Sequence, residues 1–135
     1  MNHHHATALN LASILDYTAR MMPDRGAITC AGQTITYAQL EQQAQRVAAA
    51  LTAMGIATGD HVALSCANVP WFPIAYYGIL KAGGVVVPLN VLLKPREVAY
   101  HLKDSDAKAL LAFEGTAALP MASIAKAACE QGGGR

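Results

Sequence analysis

The sequence predicts an α/β fold: a parallel sheet of βα units with flanking helices, preceded by a short β-hairpin. Three observations carry this expectation. Stretches with helical apolar spacing alternate with short β-rich runs, in the order strand, helix, strand, helix, strand, helix, the pattern of right-handed crossovers between parallel strands. The joint is clearest at residues 78–90, GILKAGGVVVPLN, where a helix end meets Gly83-Gly84 and Val85-Val86-Val87 follows before Pro88. Nearer the start, two short runs flank Ala31-Gly32, as a tight hairpin requires.

Taken in order, Asn10 caps a first helix whose apolar face is read as Leu11, Ile14, Leu15 and Met21 or Met22. Pro23-Asp24-Arg25-Gly26 ends it with turn chemistry. The hairpin strands are residues 27–30 and 33–35. Thr36 and Gln39 form a T-x-x-Q capping box that opens a helix running through Met54. Leu40, Ala44, Val47, Ala48 and Leu51 make its apolar stripe, with Glu41, Gln42, Gln45 and Arg46 read as facing outward. Gly55 stops it, and residues 61–66 read as a strand.

A helix over residues 71–82 comes next, with Pro70 and Pro73 tolerated in its first turn. Glycine after its last turn takes the left-handed conformation without a Cβ penalty. The valine strand, 85–89, reads as buried on both faces. Pro88 fits only its end, since proline cannot donate to the ladder. Lys94-Pro95-Arg96-Glu97 starts another helix, with Val98, Ala99 and Leu102 inward and Asp104-Ser105-Asp106 closing it. Residues 107–113 form a further strand. A last helix begins near Thr116 or Pro120 and runs to about Cys129, leaving 131–135 as a structureless end.

At 135 residues, 53% hydrophobic and 14% charged, the chain suits one domain with a real core. It is more apolar than an average independent domain, so faces covered by further sequence are expected. A formal charge of +1 and the lack of a basic stripe argue against nucleic acid as a partner. Cys30, Cys66 and Cys129 form no C-x-x-C pair and read as buried free thiols of a cytoplasmic protein. Residues 62–80 carry no charge, yet Asn68, Pro70 and Pro73 interrupt them. A strand and a separate buried helix are therefore expected there, not a membrane span. Residues 1–8 have neither a basic start nor an apolar signal core and read as disordered or tag-like.

Gly83-Gly84 invites a phosphate-loop reading, but a phosphate cradle leaves a strand and enters a helix. Here the order is reversed, and a helix C-terminus repels anions. Gly132-Gly133-Gly134 has no Lys-Ser/Thr partner. His61, His101 and Ser65 have no visible catalytic partner, and the carboxylates show no metal-ligand spacing. Trp71, Phe72, Tyr76 and Tyr77 read as core aromatics in preference to a ligand pocket or partner surface.

Two ordered stretches carry a family resemblance. Residues 78–90 and Ile35-Thr36-Tyr37-Ala38-Gln39-Leu40 resemble motifs near the N-terminus of adenylate-forming (AMP-binding) enzymes, which include acyl-CoA synthetases, luciferases and peptide-synthetase adenylation domains. The resemblance runs from about residue 9 to about 125. Asn68-Val69-Pro70-Trp71-Phe72 and the valine stretch look most like bacterial fatty-acid–CoA ligases. Such enzymes join a carboxylic acid to ATP, with Mg²⁺, giving an acyl-adenylate, and then transfer the acyl group to coenzyme A.

The family's Ser/Thr/Gly-rich phosphate loop, its aromatic–Gly–x–Thr–Glu adenine motif, its ribose-binding Asp and its C-terminal catalytic Lys do not occur in these 135 residues. The resemblance therefore implies a partial N-terminal subdomain over residues 9–130, a scaffold that is inactive alone. It assigns no catalytic, cofactor-binding or metal-binding residue here. The alternative is a non-catalytic interaction module that associates through an open sheet edge, self-association included. A cytoplasmic or membrane-peripheral location is expected.

Overall fold

The computed structural model describes residues 9–132. Residues 1–8 and 133–135, read above as disordered ends, lie outside the described residues. The elements are α1 (Ala12–Met21), β1 (Gly26–Cys30), β2 (Gln33–Thr36), α2 (Tyr37–Ala53), β3 (His61–Ser65), α3 (Trp71–Lys81), β4 (Val85–Pro88), α4 (Pro95–Asp104), β5 (Ala109–Ala112) and α5 (Met121–Gly132). Helix α5 thus reaches past Cys129 and takes in Gln131 and Gly132, where the sequence predicts a structureless end.

Strands β1 and β2 form the expected antiparallel hairpin, pairing Cys30 with Gln33. Ala31 and Gly32 turn it with φ of 49° and 77°, both left-handed, as a two-residue primed turn demands. The capping box at the start of α2 is formed. The Gln39 amide donates to Thr36 Oγ1 at 3.2 Å, and the Thr36 amide donates to Gln39 Oε1 at 2.8 Å.

The other strands make a parallel sheet in the order β4-β3-β5. The chain crosses from β3 to β4 in one direction and from β4 back over β3 to β5 in the other. Right-handed crossovers then place α3 and α4 on opposite faces. Val62, Leu64 and Cys66 alternate toward the α2–α3 face, where Leu51, Ile56 and Ile79 close on them. Ala63 and Ser65 point to the other face and are buried as well.

This order corrects the reading of the valine run. The central strand is β3, buried from Val62 to Ser65, whereas β4 lies at an edge and Val85 is 44% exposed. An unbroken β-branched run marks a strand without stating its place in the sheet. Pro88 ends β4 opposite Leu64, on a strand with only one neighbour, so its missing N–H breaks no ladder on the open side.

The turn from α3 into β4 is a helix-capping motif. The Gly83 amide donates to Leu80 O at 3.0 Å and the Gly84 amide to Ile79 O at 2.9 Å, the paired bonds of a Schellman motif. Gly83 has φ of 81°, and a Cβ there would sit 2.7 Å from Thr58 Oγ1. At the next joint the Lys94 amide donates to Glu97 Oε2 at 2.8 Å, and Pro95 takes the first helical position of α4.

Helix α1 corrects a second expectation. Its buried residues are Ala12, Leu15 and Ala19, whereas Leu11, Ile14, Met21 and Met22 are exposed. Asn10 does serve the first turn, its Oδ1 accepting the Ala12 amide at 2.9 Å. Leu15 joins Leu40, Ala44 and Ile74 in a second apolar cluster, against which Ile28 and Ile35 of the hairpin pack.

Candidate functional site

In an open α/β sheet, ligands bind outside the carboxyl ends of the strands, where the strand order reverses. In this chain that point lies between β3 and β5. A groove of about 480 Å³ occupies it. Leu64 and Cys66 of the β3 end, Leu111 and Phe113 of the β5 end, Leu51 and Met54 of the α2 side, and Trp71 and Ala75 of α3 line its walls. Exposed Glu114 is its one carboxylate.

The aromatics divide here. Phe72 and Tyr76 stack at 6.1 Å between ring centroids and pack on the sheet cluster. Tyr77 packs on the second cluster. Those three are core residues, as read from the sequence. Trp71 is not: it is 54% exposed and stands at the groove. Position on the first turn of α3 aims it past the end of the sheet instead of at its face.

The groove supplies apolar surface and little reactivity. Burial pushes the Cys66 thiol up from its ordinary value of 9.0, which disfavours the nucleophilic thiolate. His61 is a structural tie: its Nδ1 lies 2.6 Å from the Ser105 carbonyl, joining the start of β3 to the end of α4. His101 is exposed, with its ring edge-on to Tyr100. Ser65 is buried at the end of β3. The structure does not bring these three together.

A polar cluster that the sequence reading missed lies on the other side of α2 and α3. The Lys81 ammonium, on a side chain 11% exposed, pairs with the Asp16 carboxylate and with Glu41, at 2.9 Å from Oε1 and 2.8 Å from Oε2. Gln45 Nε2 also donates to Glu41 Oε1 at 2.6 Å. Glu41, expected on the outward face, is turned inward by this cation. Hydrogen bonding to Lys81 holds the Asp16 carboxyl below its ordinary 3.8, against an opposing effect of burial. Burial alone would pull Lys81 down, but the hydrogen bonds to Asp16 and Glu41 prevail and the net shift is upward from 10.5. A signal was present: Lys81 is the first charge after nineteen uncharged residues, 62–80, and a lone cation ending an apolar helix calls for a partner.

Residues 15–133 match the family described as AMP-binding enzyme. The chain belongs to that family. Its relatives include a medium/long-chain-fatty-acid–CoA/3-oxocholest-4-en-26-oate–CoA ligase of Mycobacterium marinum, 39% identical over 106 residues, covering 78% of this chain and 19% of the relative. A long-chain-fatty-acid–CoA ligase of Bacillus subtilis is 36% identical over 104 residues, covering 77% of this chain and 19% of the relative. Among solved structures, a benzoate CoA ligase from Burkholderia xenovorans superposes with a TM-score of 0.82 at 29% identity, covering 94% of this chain and 25% of that one. The chain thus spans about a fifth of the curated relatives it matches, 19% of each.

Membership in an AMP-binding family raises the question of nucleotide and metal. The amides of the Gly83-Gly84 turn are not available to a phosphate, because each already donates to a carbonyl of α3. The turn also lies at the negative end of that helix. Among the described residues, no group of three His, Cys, Asp or Glu side chains converges as a metal site. The Gly83-Gly84 turn does not fit ATP phosphates. No helix among the described residues is long and apolar enough to cross a membrane.

Proposed function

We propose that this chain is an N-terminal scaffold segment of an ATP-dependent fatty-acid–CoA ligase, and that the 135-residue chain alone neither adenylates an acid nor forms a thioester. The complete enzyme would take a fatty acid, ATP with Mg²⁺ and coenzyme A. This segment contributes the β4-β3-β5 sheet and the apolar groove at its carboxyl end.

The observation that supports the reading is the state of the Gly83-Gly84 turn. Its donors are engaged within the helix cap. Adenylyl transfer depends on positioned cations and free amides around the phosphates, and among the described residues no Lys or Arg lines the groove. Acid-dependent exchange of labelled pyrophosphate into ATP tests this: the purified chain is expected to give no exchange above a protein-free blank. Exchange that saturates with a fatty acid would overturn the proposal. Trp71, the single tryptophan, reports on the groove in the same sample. Its emission is expected to stay unchanged on titration with ATP–Mg²⁺.

A second reading rests on a separate observation: among the described residues both edges of the parallel sheet lack a strand partner, with Val85 exposed on one of them. On that reading the chain is an interaction module that pairs through an edge strand.

A further inference from the structure

Helix α1 has a small apolar hold on the rest of the molecule. Its inward face is Ala12, Leu15 and Ala19, so Leu15 is the one large side chain it buries. Its outward face carries Ile14, Tyr17 and Met21, all exposed. The polar ties are concentrated on the last two residues of α3. Asn10 Nδ2 donates to the Leu80 carbonyl at 2.7 Å, and the Asp16 carboxylate receives the Lys81 ammonium.

The distribution of charge around Lys81 is asymmetric in a useful way. One of its carboxylates, Asp16, belongs to α1; the other, Glu41, belongs to α2, which packs against α3 through a shared apolar cluster. Losing Asp16 therefore leaves the ammonium paired with Glu41, and Gln45 continues to support Glu41. An ion pair broken by removing its only partner strands a charge in a half-buried site, at high cost. A cation with a second partner on the fixed side avoids most of that cost.

We propose that α1 is a latched helix, held by the Asp16–Lys81 pair and the Asn10–Leu80 bond, which opens as a unit and leaves the α2–α3–sheet body folded. Opening uncovers the trough formed by Leu40, Ala44 and Ile74, with the Lys81–Glu41 pair at its side. The closed form is the one described above. Elements with few buried apolar groups and polar anchoring occupy the low-stability end of a native ensemble, and α1 has both properties.

Hydrogen exchange on the full chain tests the latch. In the parent the amides of α1 are expected to be about tenfold less protected than those of Leu51, Val62, Leu64 and Ile79, because they exchange through the smaller opening, and Asp16→Ala is expected to lower α1 protection about tenfold further. Alanine is the better helix former, so the local effect of the substitution opposes the expected loss. Asn10→Ala removes the second tie together with the bond to the Ala12 amide, and is expected to give a smaller loss of α1 protection. Unchanged α1 protection in both variants would overturn the proposal. So would α1 amides in the parent as protected as those of β3 and α3, because α1 would then open only with the whole molecule.

Discussion

Gly78 lets α3 approach α2 closely, and its role is invisible in the sequence. A Cβ built on it would lie 2.5 Å from Val47 and 3.1 Å from the Ala44 carbonyl. In a one-dimensional reading Gly78 is only a weak position in a helix, where alanine would be preferred by about 1 kcal/mol. The structure reverses the sign. Gly78→Ala is expected to destabilise the chain by about 1–3 kcal/mol, the usual result of overpacking, seen as a lower denaturant midpoint with an unchanged slope. A stability equal to or above that of the parent would show that the two helices separate freely. Ala31 presents the opposite case, since its turn was read correctly but its strain was not. A non-glycine residue at φ 49° carries a left-handed penalty of about 1–2 kcal/mol, which asparagine tolerates better. Ala31→Asn is expected to raise stability by about 0.5–1 kcal/mol, and a lowered thermal midpoint would refute that account of the turn.

Among the helices, α1 shows how far periodicity can be followed. Leu11, Ile14, Leu15 and Met21 do fall at helical spacing, so the helix itself was legible. Its orientation was not, because it carries apolar residues on two sides and the buried side is made mostly of alanine. Helix α2 was oriented correctly except at Glu41, where a cation contributed by α3, forty residues away in sequence, overrides an otherwise polar position. That cluster gives a prediction about pH. Lys81 is faced by Asp16 from α1 and by Glu41 from α2, with Arg20 of α1 also acting on Asp16. The folded carboxyl of Asp16 lies below its ordinary 3.8, so its stabilising contribution is complete above 3.8 and is lost as pH falls through the lower folded value. Lys81 lies above 10.5 when folded, so its contribution is complete below 10.5 and is lost as pH rises through the higher folded value. Neutral pH lies on the plateau between the two limbs. The difference in thermal midpoint between the parent and Asp16→Ala is therefore expected to be largest near neutrality and to vanish well below 3.8. A difference that stays constant down to strong acid would show that Asp16 acts through packing or helix propensity and not through its charge.

For the whole molecule, the alternation of strand and helix was written in the chain, but the order of strands in the sheet was not. Each strand reports its own burial pattern locally, whereas neighbours are chosen by crossover direction, which leaves no mark on any single residue. The groove was hidden for the same reason: Leu64, Trp71 and Phe113 meet only because β5 returns beside β3. That topology leaves the outer sides of β4 and β5 without strand partners among the described residues. An open edge bears a row of unpaired backbone donors and acceptors and is a template for another strand. The relatives, of which this chain spans 19%, have ample sequence to cover such edges. The isolated chain is therefore expected to associate with itself as concentration rises, in sedimentation or small-angle scattering. Val85 sits at the start of the β4 edge with its side chain exposed. Lysine on an edge strand opposes pairing by charge repulsion between copies, and at an exposed position it changes folded stability little. Val85→Lys should then shift the association to higher concentration without lowering the thermal midpoint. If the chain remains a monomer at all concentrations, the open-edge account fails. If it associates equally well with lysine at that position, the contact runs through β5 or through the exposed outer face of α1, and the corresponding substitution at Ile14 would locate it.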